Sequence, residues 1–132
     1  MAKSLIYMVN TNPQTLAVGS AVNFGSIIRR YGCNVGSNGS NPLVRGTGYY
    51  NVDANITLTA GGAGVVTLTL LKDGIAIPGA TQSATVANNV QYAFTLPAVI
   101  REKCCDSASN ITLVVTGVAT TINNAAIEVV KE

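Results

Sequence analysis

The pattern of apolar and polar residues is most regular between Tyr50 and Ala60. Along this segment every even position is apolar or aromatic and every odd position is polar. Successive side chains of a β-strand point to opposite faces, so a strict period of two predicts a half-buried strand. The even face, which begins with Tyr50 and Val52, is expected to enter a core. The odd face, from Asn51 to Thr59, is expected to meet solvent or a partner.

Similar patterns recur along the chain, and no segment has the pattern of a long amphipathic helix. The Asp73-Gly74 pair predicts a tight hairpin turn, because it supplies the positive φ angles that such a reversal needs. Pro78-Gly79 is expected to end or bend the returning strand. The predicted strands are Leu5–Val9, Ala21–Phe24, Ser26–Tyr31, Tyr50–Ala60 with Leu43–Arg45 leading into it, Val65–Leu71, Ile75–Ile77 continued at Thr81–Val86, Val90–Leu96, Ile111–Gly117 and Ala125–Val130.

The spacing of these segments predicts an all-β fold. Nine or ten short strands at intervals of about 8–12 residues are typical of an antiparallel sandwich or a jelly roll, not of a parallel α/β sheet. Periodicity alone does not separate an immunoglobulin-like sandwich from a jelly roll, but the chain lacks the tryptophan of antibody-type domains. The segment Asn34–Pro42 is so rich in Gly, Asn and Ser that we expect a loop outside the core.

Composition adds a constraint on the surface. The chain has 132 residues, which fits one domain, and only 11% of them are charged, against about 25% in a typical soluble domain. A surface built from Asn, Thr, Ser and Gly would explain this shortage, and so would a large surface buried by oligomerisation. The net charge of +2 is scattered, with small clusters at Arg29-Arg30 and Arg101–Lys103. We therefore expect neither a nucleic-acid partner nor a membrane-spanning segment, which needs about 20 apolar residues.

The residue inventory argues against catalysis and cofactors. Without histidine, neither a Ser-His-Asp nor a Cys-His pair can form. The Gly61–Gly64 segment lacks the Lys-Ser/Thr ending of a phosphate-binding loop and is better interpreted as a strand connector. No acidic D-x-D cluster suggests calcium, and the thiols lack the spacing of a zinc site. We expect no enzyme activity, no cofactor and no metal.

Three cysteines leave two alternatives open. Cys33 is separated from the adjacent pair Cys104-Cys105, and a bridge between neighbouring cysteines is strained. In an oxidising compartment Cys33 is therefore expected to pair with one of the two, for which we take Cys104. The alternative is three free thiols.

A resemblance to a known family rests on the order of several segments. Gly48–Val52 reads G-x-Y-x-V, Val66–Gly79 is an aliphatic hairpin, and Ile111–Gly117 and Ala126–Lys131 end the chain. In this order they resemble the complement/tumour necrosis factor-like jelly-roll superfamily. The closest similarity is to head domains of bacterial collagen-like surface glycoproteins, including those of spore exosporia, and to phage structural proteins. No Gly-X-Y collagen repeat precedes the head in this sequence.

The resemblance implies a ten-stranded sandwich that assembles as a homotrimer around a threefold axis. It covers residues 20–132, so residues 1–19 are expected to be a first strand, a short anchor, or both. It also makes Tyr50, Val52, Tyr92 and Phe94 candidates for either the monomer core or the seam between subunits. Aromatic groups suit both places, so the alternatives stay open.

Two functions from different classes follow. The first is a structural trimeric module of a particle surface, such as a bacteriophage capsid decoration or fibre head. The absence of a secretory signal favours this first function, with assembly in the host cytoplasm. The second is a trimeric head on a bacterial cell or spore surface that binds a glycan or receptor. Its partner-facing loops would contain Asn38, Arg101 and Lys103, and a trimer would give weak single sites avidity.

Overall fold

The computed structural model describes residues 3–102 and 108–132, and every element in these ranges is a β-strand. None of these residues belongs to a helix long and apolar enough to cross a membrane. The strands are β1 Leu5–Asn10, β2 Gln14–Leu16, β3 Ser20–Ala21, β4 Ser26–Tyr31, β5 Val35–Ser37, β6 Pro42–Val44, β7 Gly48–Ala60, β8 Gly64–Lys72, β9 Ile75–Val86, β10 Gln91–Glu102, β11 Ser109–Thr116 and β12 Thr120–Lys131.

The strands form two antiparallel sheets of six strands each. The first sheet has the order β10-β7-β12-β1-β4, with β2 paired to β12, and the second has the order β5-β6-β11-β8-β9, with β3 paired to β11. Without the two short additions β2 and β3, ten strands remain, so the ten-stranded jelly roll expected from the sequence is confirmed. The N-terminal strand β1 lies between β12 and β4 inside the first sheet.

The core lies between the two sheets, and β7 supplies its central row. The even-numbered side chains of β7 from Tyr50 to Ala60 are buried, whereas its odd-numbered side chains are exposed or half-buried. The opposing sheet contributes the alternate residues of β8 and β11, among them Leu68 and Leu113, which are both fully buried. Each such side chain contributes about 1.5–3 kcal/mol through burial. The alternation in the sequence of β7 therefore matches the alternation of its side chains between the core and the surface.

Three local predictions differ from the structure. The Asn34–Pro42 segment contains strand β5, and Val35 is fully buried, because this short strand pairs with β6 and closes the edge of the second sheet. The loop is confined to the turn that follows. Pro78-Gly79 does not end β9, but the register with β8 shifts beside it, which fits the expected bend. Strand β10 continues through Pro97 to Glu102, so Arg101 lies in a strand and not in the expected loop. Both prolines lie in edge strands. On the outer side of an edge strand the backbone N–H groups form no hydrogen bonds to another strand, so proline, which lacks this group, is tolerated there.

One carboxylate is buried at the end of β10. Glu102 is fully buried, and its Oε1 lies 3.3 Å from the Nζ atom of Lys72. The Ser109 hydroxyl donates a hydrogen bond of 3.1 Å to the same oxygen. This ion pair connects the ends of β8 and β10, which lie in different sheets, and it explains how a charged residue is retained in the interior.

The hydroxyl of Tyr50 connects the core to the segment before β7. It lies 2.6 Å from the carbonyl oxygen of Arg45 and 2.8 Å from that of Gly46, and it donates to both. Burial raises the pKa of Tyr50 above its ordinary value of 10.0, and the nearby Glu102 carboxylate raises it further. The folded structure therefore stabilises the neutral, protonated form of the Tyr50 hydroxyl.

Replacing Tyr50 by Phe is expected to lower the free energy of unfolding by about 0.5–1.5 kcal/mol, because the hydrogen bonds to the carbonyl groups of Arg45 and Gly46 are lost. Urea unfolding at fixed protein concentration measures this loss. The raised pKa means that the contribution is complete below pH about 10, the unfolded value, and is lost as the pH rises through the folded value. The difference between wild type and Tyr50→Phe should therefore shrink at strongly alkaline pH.

The matched control is Tyr49→Phe, since Tyr49 is the exposed neighbour of Tyr50. This change should alter stability by no more than about 0.5 kcal/mol at any pH. Equal losses in the two variants would contradict the role given to the Tyr50 hydroxyl.

Candidate interaction surface

The outer face of the first sheet is the candidate interaction surface. It is formed by the odd-numbered side chains of β7 and by the residues that the strand register places beside them on β10, β12, β1 and β4. Directly paired residues of an antiparallel sheet lie on the same face. The burial of the even face of β7 therefore fixes which side chains of the other four strands point outward.

The end of this face near the start of β7 is apolar and aromatic. One cross-strand row consists of Tyr31, Leu5, Val130, Asn51 and Val99. Tyr31 is 56% exposed and Val99 is 61% exposed, while Leu5 and Val130 are half-buried between them. We refer to this row as the apolar row.

An aromatic group stands next to the apolar row. Tyr49 is 54% exposed and pairs with Arg101 on β10. The guanidinium carbon of Arg101 lies 5.9 Å from the centre of the Tyr49 ring, close enough for a cation–π interaction. The apolar row and Tyr49 together form an exposed apolar and aromatic section of the face. Asn51 interrupts it between Val130 and Val99, and its side-chain amide donates a hydrogen bond to the Glu132 carboxylate.

The middle of the same face carries two carboxylates. Asp53 and Glu128 are directly opposite each other on β7 and β12, and Tyr7 lies on the other side of Glu128. Within the described ranges neither carboxylate has a basic group within 4.0 Å. Like charges placed directly opposite each other destabilise a sheet. Repulsion between Asp53 and Glu128 is therefore expected to lower the stability of the single chain, in which no basic group of the described ranges lies within 4.0 Å of either carboxylate.

Small polar residues cover the far end of the face. Thr95 donates a hydrogen bond of 3.0 Å to the side chain of Asn55, and the Asn123 amide donates one of 2.7 Å to the Thr59 hydroxyl. This end has the uncharged polar surface expected from the low charge content. The face thus changes along its length from apolar, through acidic, to uncharged and polar.

The four aromatic and aliphatic candidates from the sequence lie on the inner side of the sheets. Tyr50, Val52 and Phe94 are buried in the core. Tyr92 is partly buried against the core, and its hydroxyl accepts a hydrogen bond of 2.9 Å from the backbone N–H of Ala87. In the single chain three of these residues lie in the core and Tyr92 packs against it. A contact of any of them with a second copy stays a prediction.

The predicted loop and cysteine residues are only partly described. The Asn38 side chain accepts bonds from the backbone N–H groups of Ser40 and Asn41, and its amide donates one to Asn110. Cys33 is exposed, whereas Lys103 and Cys104 lie outside the described residues. The disulfide therefore stays a prediction.

Sequence reasoning did not identify the apolar row. Tyr31 ends a predicted strand, but Val99 lies beyond Pro97, where the predicted strand stops. The row could have been found only by extending that strand and pairing it with the odd face of β7. The described residues contain no group of three or more Cys, Asp or Glu side chains that could hold a metal ion.

Comparisons with known proteins agree on the fold. No protein-family profile matches the chain, and no curated protein sequence matches it with significance. Among solved structures, murine APRIL superposes with a TM-score of 0.75 at 12% identity, covering 98% of this chain and 99% of that chain. The globular domain of zebrafish complement 1qA gives 0.66 at 8% identity, covering 95% and 94%. The vertex protein P5 of phage PRD1 gives 0.65 at 10% identity, covering 97% and 96%.

These likenesses establish the architecture. The chain has the same antiparallel jelly-roll fold as these structures, which is the fold that its motif order predicts. At such low identities the likeness concerns the fold alone.

Replacing Glu128 by Gln is expected to stabilise the chain. Removing one of two opposed like charges should raise the free energy of unfolding by about 0.2–1 kcal/mol at low ionic strength. Urea unfolding measures the gain. It should shrink in 1 M NaCl, where the screening length is about 3 Å. A loss of stability at low salt would contradict the electrostatic interpretation of this face.

Proposed function

We propose that this chain is a non-enzymatic structural protein that self-associates as a homotrimer and forms part of a particle surface. The particle we favour is a virion, in which the chain would serve as a bacteriophage capsid decoration or fibre-head protein assembled in the host cytoplasm. The observation that carries the proposal is the exposed apolar row on the outer face of the first sheet, with Tyr49 beside it.

The apolar row supports self-association for an energetic reason. Tyr31 and Val99 expose more than half of their surface. Leu5, Val130 and Tyr49 lie on the same face, and Asn51 lies directly opposite Val99. Contiguous exposed apolar surface marks an interaction site, whereas isolated exposed residues do not. Burying a side chain such as Val99 against a second copy would contribute about 1.5–3 kcal/mol.

Composition gives independent support for an oligomer. Only 11% of the residues are charged, and the Asn and Thr side chains at the far end of the face account for part of this shortage. The apolar end of the face is different, because exposing its side chains to water is unfavourable. A trimer of the kind implied by the family resemblance would cover this apolar end. Threefold symmetry closes after three subunits, so the contact does not continue into an open fibre.

The particle location rests on the fold and the residue inventory. One solved structure with the same fold is a phage vertex protein, so this jelly roll can serve as a surface component of a virion. The lack of histidine removes the commonest general base. The described residues place no obvious catalytic group beside the exposed carboxylates, which supports a structural role.

The genes beside this one test the particle location. Neighbouring capsid and portal genes are expected if the protein decorates a virion. A neighbouring stalk or adhesin gene would instead favour the alternative of a glycan- or receptor-binding head on a bacterial surface.

Replacing Val99 by Asp is expected to dissociate the oligomer. The charge would be buried without a partner in the contact, which costs several kcal/mol. Sedimentation velocity at micromolar concentration should show a slower species than the wild type, with unchanged far-ultraviolet circular dichroism.

The matched control is Val65→Asp. Val65 is 54% exposed, close to the 61% of Val99, but it lies on β8 in the second sheet. This variant should sediment like the wild type. Identical sedimentation of both variants would exclude the apolar row as the contact.

A further inference from the structure

Two arginines converge at the edge of the sandwich opposite β9 and β10. Arg30 lies on β4, the edge strand of the first sheet, and Arg45 follows β6 in the second sheet. A Cβ atom added to Gly36 of β5 would lie 3.6 Å from Nη2 of Arg45 and 3.9 Å from Nη2 of Arg30. Both guanidinium groups therefore border one small space above Gly36.

No carboxylate in the described part of the chain neutralises this pair. The one ion pair found there joins Lys72 and Glu102, so neither arginine has an acidic partner within 4.0 Å. Guanidinium groups repel each other and remain together only where other contacts hold them. Two guanidinium groups without an acidic partner create a positive potential that attracts an anion.

Both arginines are held in place by the surrounding fold. Nε of Arg30 donates a hydrogen bond of 3.0 Å to the carbonyl of Val35, which leaves the other four N–H groups of the guanidinium for further partners. The backbone N–H of Arg45 donates to the carbonyl of Asn34 at 2.8 Å. The carbonyl of Arg45 accepts bonds from the Asn34 amide and the Tyr50 hydroxyl. The backbone of Arg45, though not its exposed side chain, is therefore attached to the core through Tyr50.

Gly36 itself supports the same conclusion. Its φ is outside the left-handed region that favours glycine, and a side chain there would meet no atom closer than the two guanidinium nitrogens. Glycine inside a strand weakens it and often marks a place where a ligand approaches the backbone closely. Neither a positive φ nor a clash requires glycine here, and its missing side chain lets the two guanidinium groups lie over the backbone of β5.

We propose that Arg30, Arg45 and Gly36 form a binding site for a tetrahedral oxyanion, a phosphate or a sulfate group. Guanidinium groups bind such anions through paired, charge-assisted hydrogen bonds. A dianion would neutralise both arginines, whereas a carboxylate carries a single charge. The site is independent of the apolar row, because it lies at the β4–β5 edge and uses different residues.

A nuclear magnetic resonance titration of the full chain tests the site. Sodium sulfate and sodium phosphate are compared with sodium chloride at equal ionic strength, and the backbone amide of Gly36 and the Nε–H group of Arg30 are followed. Saturable shifts are expected with sulfate and phosphate only. Arg30→Gln and Arg45→Gln should each weaken binding by about tenfold or more, the loss expected for one charge-assisted contact.

The matched control is Arg29→Gln. Arg29 precedes Arg30 in β4 but pairs with Tyr7 on the outer face of the first sheet, so its loss should change sulfate affinity by less than twofold. Equal weakening in all three arginine variants would reduce the effect to net charge and overturn the proposal. Absence of saturable shifts in the wild type would overturn it as well.

Gly36→Ala keeps both arginines and tests the space directly. The new methyl group would be at ordinary contact distance from both guanidinium groups, so the chain should remain folded while sulfate binds more weakly. Unchanged binding would contradict the site even if an arginine variant failed to fold.

Sulfated dextran, with neutral dextran as its control, distinguishes the source of the anion. Tighter binding per sulfate than the free ion assigns the site to a polymer-borne group, and equal affinity assigns it to free anions.

Discussion

The alternation of β7 is the constraint on which the other features of this structure depend. Its even side chains fill the space between two sheets, and the loss of any one would leave a cavity in a closely packed interior. Because β7 cannot shift by one residue without exposing that whole set, its odd side chains are fixed outward. Register then fixes the outward face of β12, β1, β10 and β4. The apolar row and the opposed carboxylates are consequences of this packing.

The same strand connects the core to the basic edge of the sandwich. Tyr50 is the first core side chain of β7, and its hydroxyl binds the carbonyl of Arg45. The backbone that carries one arginine of the proposed anion site is thus attached to the most buried part of the molecule. The proposed self-association face and the proposed anion site use different residues, yet both are positioned by β7. A trimer would present three anion sites together, which is how weak single sites gain avidity.

The sequence predicts the periodic parts of this fold well. Ser26–Tyr31 matches β4 to the residue. The alternation of Tyr50–Ala60 predicts the burial of β7 correctly, because local periodicity is enough to determine it. Val35 is buried although its neighbours are Gly, Asn and Ser, since its pairing with β6 depends on residues far along the chain. Val99 escaped prediction because Pro97 suggests a strand end, and only the position of β10 at a sheet edge makes proline acceptable there. The approach of Arg30 to Arg45 depends on two sheets meeting, so no spacing in the sequence indicates it.

The central claim is that the outward face fixed by β7 is covered by further copies of the same chain. Light scattering coupled to size-exclusion chromatography of the wild-type protein at micromolar concentration tests this claim most directly. The predicted result is one species with three times the 13.6 kDa mass of the chain. A stable species of 13.6 kDa at that concentration would contradict it, because the apolar row would then remain exposed to water.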